Sequence, residues 1–132
     1  MKRIYIAGKL NADAVGYLKN VHAMIRVAQA AKDAGFSVFV PCLDLLMGIV
    51  AGDYEYEDYA TPNLAWLSVS DAVLLVPGWE TSKGTQAEIA WAKELGIPVF
   101  ETLQELLTQQ MSQARCRFIT LVSRPVAEVG DE

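Results

Sequence analysis

Histidine and cysteine are scarce in this chain. Its 132 residues include one histidine, His22, and two cysteines, Cys42 and Cys116. A single histidine excludes any site built on two, and excludes Ser-His-Asp catalysis unless His22 is itself the base. Without a C-x-x-C pair, a disulfide framework and a structural zinc site are excluded as well. Positive charge is in deficit, with 11 Lys and Arg against 16 Asp and Glu, for a net charge of −5. A chain of that sign is a poor partner for a phosphate backbone, so nucleic-acid polymers are not expected as ligands. No apolar run reaches the ~20 residues that span a bilayer. Met1–Ala7 lacks the apolar stretch and cleavage site of a secretory leader. The expected location is the cytoplasm, with no membrane partner and both thiols free.

What is present is enough for one domain. Apolar residues make up 52% and charged residues 20%, which permits a buried core and excludes global disorder. Arg3–Ala7 reads as a strand ended by Gly8. Leu18, Val21, Ile25, Ala28 and Ala31 share one face of a helix over 18–34 that Gly35 stops. Phe36–Val40 reads as a strand closed by Pro41, and 44–52 as a short helix or a loop. Pro62 fits the first turn of a helix to about Ser70. Ala72–Val76 is a continuous apolar run, the mark of a strand buried on both faces. Thr85–Leu95 reads as a helix, Ile97–Phe100 as a strand, and Thr102 as the cap of a helix through Gln110. Phe118–Val122 has the pattern of an added edge strand, and Val126–Glu132 that of a tail. This alternation predicts a single-domain, Rossmann-like (flavodoxin-like) α/β fold: a parallel sheet with helices on both faces. Ligands of such sheets bind beyond the carboxyl ends of the strands. The expected division is a domain over 1–110 and a C-terminal extension over 111–132.

Two phosphate motifs fail at those strand ends. Gly8-Lys9-Leu10-Asn11-Ala12-Asp13 is not G-x-G-x-x-G, and Ser82-Lys83-Gly84-Thr85 has P-loop residues in the wrong order. The informative stretch is Pro77–Glu88, where a glycine-bounded loop leaves a strand and enters a helix N-terminus that favours an anion. Ser82 supplies a hydroxyl, Lys83 a charge, and Trp79 a flat face on which a base or sugar could stack. Glu88 shares a face with Ala92 and Leu95, directed to the carboxyl edge of the sheet. The same letters have a plainer reading, because Thr85-Gln86-Ala87-Glu88 is a T-x-x-E capping box that needs no catalysis. Trp79 alone reads equally as a core or lid residue, and Lys83 as solvated surface. His22 reads as a helix surface residue, Asp71 as a helix-to-strand junction, and Cys42 as a passive thiol. The run Asp53–Asp58 reads as a solvated lid rather than a cation site, with Tyr54, Tyr56 and Tyr59 available to cover a base.

Three segments, in order, resemble the nucleoside 2-deoxyribosyltransferase-like superfamily. Tyr5-Ile6-Ala7-Gly8 is similar to its Y-x-x-G strand end. Asn63-Leu64-Ala65-Trp66-Leu67-Ser68-Val69-Ser70-Asp71-Ala72-Val73 is similar to its D-L-x-W-L-x-x-A-D-x-V helix and strand. Ser82-Lys83-Gly84-Thr85-Gln86-Ala87-Glu88 begins a stretch similar to S-x-G-x-x-x-E-x-x-x-A. The loop Gly78-Trp79-Glu80-Thr81-Ser82-Lys83-Gly84 most resembles a small, uncharacterised branch often borne by phages or prophages. The resemblance covers roughly residues 3–101 and implies cleavage of an N-glycosidic bond in a nucleoside or its 5′-monophosphate, without a cofactor or metal. It implies Glu88 as the nucleophile on the anomeric carbon, with Tyr5 beside it as an orienting hydroxyl. It places Ser82 and Lys9 at the 5′-phosphate, with Gly8 and Gly84 allowing close backbone approach and Trp79 in the substrate loop. Relatives are dimers or larger rings, which implies a homo-oligomer here, with Trp66, Trp91 and residues 102–132 offering apolar surface.

One position departs from the pattern. The family has a catalytic aspartate where this chain has Asn63. An amide hydrogen-bonds a base but is no general acid near neutral pH. Asp58, Glu80 and Glu101 are the acidic residues considered as its replacement, and sequence does not choose among them. Three readings therefore stand: a glycosidase or deoxyribosyltransferase, a nucleotide-binding sensor or sponge without turnover, and a purely structural protein in which Glu88 is a cap.

Overall fold

The computed structural model describes residues 2–123. Its four strands are β1 (Arg3–Ala7), β2 (Ser37–Phe39), β3 (Ala72–Leu75) and β4 (Val99–Phe100). They form one parallel sheet in the order β2-β1-β3-β4, so β1 and β3 lie at the centre. Their sequences fit that place. Ile4–Ala7 and Ala72–Val76 are buried throughout, as continuous apolar central strands should be. The fold is the flavodoxin-like α/β class expected from the alternation, with helices packed on both faces.

One face is covered by α1 (Ala14–Asp33) and α5 (Leu103–Val122). The buried stripe of α1 is Met24, Ala28 and Ala31, flanked by Val21. Leu18 and Ile25, expected on that stripe, lie off it and are exposed. The other face carries α3 (Tyr56–Ser68) and α4 (Lys83–Glu94), packed on Tyr5, Ala7, Val73 and Leu75. Tyr5 stacks on Phe39 with ring centroids 5.5 Å apart, and Phe39 stacks on Trp66 at 5.6 Å. Trp91 Nε1 donates to Ser68 Oγ at 3.0 Å and ties α4 to α3. Arg3 N–H donates to Asp71 Oδ2 at 2.7 Å, which makes Asp71 the junction expected of it and holds its carboxyl below the usual range.

Two expectations are corrected and one alternative is decided. Pro62 lies inside α3 rather than in its first turn, because the helix begins earlier. There Asp58 accepts the Glu55 N–H at 2.7 Å, reciprocal capping that offsets the N–H lost at the proline. Of the two readings of 44–52 the helix holds: a 3-10 turn over Pro41–Asp44 leads directly into α2 (Leu45–Ala51), which Gly52 ends. Phe118–Val122 is not an edge strand but the last turn and a half of α5. No glycine or proline interrupts Leu103–Val122, so the helix capped by Thr102 runs through residue 110 without a break. A short apolar run by itself does not separate the two states. The tail expected over Val126–Glu132 lies outside the described residues.

Candidate active site

Three connections meet where β1 ends. β1 stops at Gly8, whose backbone lies so close to β3 that a side chain would meet Val76 Cβ at 2.7 Å. The loop that follows is held by Asn20, whose Nδ2 donates to Leu10 O at 3.1 Å, and by Asp13, which caps α1. The 3-10 turn leaves β2 on one side. The loop from β3 to α4 arrives on the other, turned by Gly78 at φ 92°, a conformation open to glycine. Together with α3 these segments enclose a cavity of about 580 Å³ at the carboxyl edge of the sheet. That volume suits a small molecule.

The N-terminus of α4 settles what Glu88 does locally. Ser82 is the N-cap, and its Oγ accepts the Thr85 N–H at 3.2 Å and the Thr85 hydroxyl at 3.0 Å. The helix therefore begins three residues before the T-x-x-E reading would start it. Glu88 lies in its second turn, too deep to cap. Its carboxylate lines the cavity instead, with Oε2 buried and without a hydrogen-bond partner. A buried polar atom left unpaired costs about 1–3 kcal/mol, which marks the position as other than structural.

Burial pushes the Glu88 carboxyl up to about 7, and the neighbouring Tyr5 hydroxyl opposes part of that rise. Tyr5 is fully buried, and its own hydroxyl is pushed far up, first by burial and then by the charges of Glu88 and Asp44. Neither Tyr5 Oη nor Glu88 Oε2 has a partner of ordinary hydrogen-bond geometry, so the two groups are adjacent but not locked. A carboxyl raised into this range by a dry pocket takes either protonation state at neutral pH.

The cavity gathers most of the residues singled out from sequence. Glu88, Asn63, Gly8, Lys9, Ser82 and Gly84 all line it, and Tyr5 lies behind Glu88. Trp79 does not line it. The indole packs on the core cluster of Tyr5, Leu67 and Ile89, because the 3-10 turn Trp79–Thr81 turns it toward the sheet. The close approach of Gly8 is to Val76, whereas a Cβ on Gly84 would meet only Tyr56 Oη at 3.7 Å. Asp58 caps α3, and neither it, Glu80 nor Glu101 lines the cavity. The acidic run is not a free lid, since it leads into α3, from which Tyr56 and Tyr59 line the cavity. Tyr54 meets Tyr59 edge-on at 4.9 Å. His22 is exposed. Among the described residues no three His, Cys, Asp or Glu side chains are grouped to hold a metal ion.

Asp44 is the ionisable carboxyl of the lining that sequence reasoning missed, as it missed Asn11 and Tyr17. It ends the 3-10 turn after β2, and burial raises its carboxyl above the ordinary value. No motif marks it. The only signal in the sequence was its place just beyond a strand end.

The fold and cavity together define a parallel α/β domain with a cavity at the strand ends, lined by two carboxyls and two amides, those of Asp44, Glu88, Asn11 and Asn63. The chain belongs to the family described as a domain of unknown function (DUF4406), whose model matches residues 2–101. Among solved structures it is similar to a 2-deoxyribosyltransferase from the psychrotolerant bacterium Bacillus psychrosaccharolyticus. The identity is 24% and the TM-score 0.57, over 74% of this chain and 69% of that one. That likeness establishes the shared fold. No curated protein matches the chain.

Proposed function

We propose that the cavity binds a nucleoside or its 5′-monophosphate and that Glu88 attacks the anomeric carbon, cleaving or transferring the N-glycosidic bond. The observation that carries this reading is the Glu88 carboxylate, which lines the cavity with a buried oxygen unpartnered while Ser82 takes the capping role. Support also comes from the fold shared with a 2-deoxyribosyltransferase, described as a biocatalyst for nucleoside synthesis. In its ionised form Glu88 forms a bond to C1′ as the base leaves, and water or a second base then releases the sugar. Tyr5, beside Glu88, orients the carboxylate once substrate is bound. Ser82, whose Oγ accepts two hydrogen bonds, keeps its own O–H free to donate. With the N–H groups at the start of α4 and the ammonium groups of Lys9 and Lys83, it makes an anion cradle for the phosphate. Ser82 and Glu88 are six positions apart on the helix, about 9 Å along the axis, the scale of a nucleotide from phosphate to base.

The test is incubation with a panel of nucleosides and 5′-monophosphates, followed by chromatography of free bases, with and without an acceptor base. Base release that Glu88→Ala abolishes supports the reading. No release from any substrate, or undiminished release by the variant, overturns it. An acceptor-dependent product identifies a transferase, and its absence a hydrolase.

Asn63 in the cavity favours a second reading, a nucleotide sensor or sponge without turnover. Thermal stabilisation by nucleotides with no base release would select it. Under either reading the chain works as a homo-oligomer in the cytoplasm. Trp66 at 56% exposure, and Phe118, Ile119 and Val122 on α5, offer apolar surface to a second copy. Light scattering that gives a monomer at working concentration would refute that assembly.

A further inference from the structure

The glycosidic reading leaves one task unassigned: a proton for the departing base. Asn63 stands in the cavity but its amide is no acid, and Asp58, Glu80 and Glu101 lie away from it. Asp44 lies in it. The strand order β2-β1-β3 sets the turn after β2 and the loop after β3 on opposite sides of the β1 end. Asp44 and Glu88 thus enter one cavity from flanking elements.

No structural duty accounts for the Asp44 carboxyl. It occupies the N-cap position of α2 but makes no capping hydrogen bond, its backbone hydrogen bond is to its own residue, and among the described residues it has no ion-pair partner. Pro41 and Leu45 share its helical turn, and Tyr17 and Tyr59 line the same cavity. The burial that raises its carboxyl favours the protonated form a donor needs.

Resting on the proposed function, we propose that Asp44 is the general acid that protonates the leaving base and the general base for the incoming nucleophile. In the first half, the Glu88 carboxylate forms a bond to C1′ as the C1′–N bond breaks. The electron pair of that bond goes to the base nitrogen, which takes the proton from Asp44. In the second half, water bonds to C1′, its proton passes to the Asp44 carboxylate, and the Glu88–C1′ ester bond breaks to restore the carboxylate. The sum is nucleoside plus water giving sugar plus base. With an acceptor base, its N–H proton goes to Asp44 instead.

The discriminating variable is the leaving group. A natural base needs a proton, whereas 4-nitrophenolate departs without one. Release of natural bases and of 4-nitrophenol from the matching 4-nitrophenyl glycoside is measured for the native chain, Asp44→Asn, Asp44→Ser and Glu88→Gln. Asn and Ser are both accepted at a helix N-cap, so both Asp44 variants keep the fold, which melting checks. The expected result is a loss of ~10²–10⁴-fold in kcat/KM for natural bases in both Asp44 variants, with kcat/KM for 4-nitrophenol release, which reports only the first half, reduced less than about tenfold. Glu88→Gln should lose both activities. Equal loss with both leaving groups, or natural-base release within about threefold of the native chain, overturns the role of Asp44 while leaving Glu88 as nucleophile. A native chain inert to both substrates overturns the glycosidic reading, and this role with it.

Discussion

The Tyr5 hydroxyl and the Glu88 carboxylate lie side by side at the end of the central strand, each buried and neither satisfied by a hydrogen bond of ordinary geometry. A fold optimised for stability alone would pair such groups or replace them with apolar ones. Under the proposed function the cost of leaving them unpaired is borne for chemistry, and it has a measurable signature in stability.

That signature is a dependence on pH. Burial raises the Glu88 carboxyl from 4.5 to about 7 in the folded chain. Below 4.5 both folded and unfolded states hold the proton, so no penalty applies. As pH rises toward 7 the unfolded chain releases it and the folded chain does not, so stability falls, by at most ~3 kcal/mol, and levels off above 7. Glu88→Gln removes the titration. Thermal melts at pH 5 and pH 8.5 should show the variant gaining on the native chain only at the higher pH. A constant difference between the two would refute the shift.

Tyr5→Phe separates packing from chemistry. The ring stacks on Phe39 and stays, while the hydroxyl removed has no partner of ordinary geometry. Stability should change by no more than ~1 kcal/mol in either direction. The hydroxyl favours the ionised form of Glu88, so its loss should move the acidic limb of the pH–rate profile upward. An unmoved limb would show that Tyr5 does not orient the carboxylate.

Ser82 has two duties that different substitutions divide. Ser82→Ala removes the N-cap of α4 and should cost about 1 kcal/mol in chemical denaturation. Ser82→Asp restores a capping oxygen but sets a carboxylate where a phosphate would sit. It should fold like the native chain yet lose any preference for monophosphates over nucleosides, read as the ratio of their KM values. An unchanged ratio would remove Ser82 from the phosphate cradle.

Local chemistry made much of this legible in the sequence, and tertiary placement made the rest opaque. The apolar run Ala72–Val76 could be little other than a central strand, and Gly8, Gly35 and Gly96 marked element ends that the structure keeps. Glu88 was ambiguous because a capping box and a catalytic carboxylate share the same letters. Only the start of α4 at Lys83 separates them. Trp79 was misplaced because an aromatic residue in a loop presents the same pattern whether it faces a ligand or the core. Asp44 was invisible, since its place in the same cavity as Glu88 follows from β2 lying beside β1 and not from any spacing along the chain.

The loop aromatic yields a prediction of its own. Because Trp79 packs on the core cluster that contains Tyr5, Leu67 and Ile89 and does not line the cavity, Trp79→Ala should act on folding. A loss of about 1–3 kcal/mol in denaturant unfolding is expected, with KM changed little once measured on folded protein. A large rise in KM with stability intact would return the indole to the substrate.

Asn63 offers the sharpest check on how the proton is supplied. It is half-buried on α3 and lines the same cavity as Asp44 and Glu88. Asn63→Asp keeps the shape and adds a titratable carboxyl where relatives of this fold are expected to carry one. If Asp44 already donates the proton, the substitution is redundant in the native chain and should alter kcat by less than about threefold. In an Asp44→Asn background it should recover a large share of the lost ~10²–10⁴-fold, because the second carboxyl then has a task. The pair is read as a double-mutant cycle on natural-base release. Additive effects would show that the two positions do not share one function. A strong gain from Asn63→Asp in the native chain would show that the proton is undersupplied there, and that Asp44 does not deliver it.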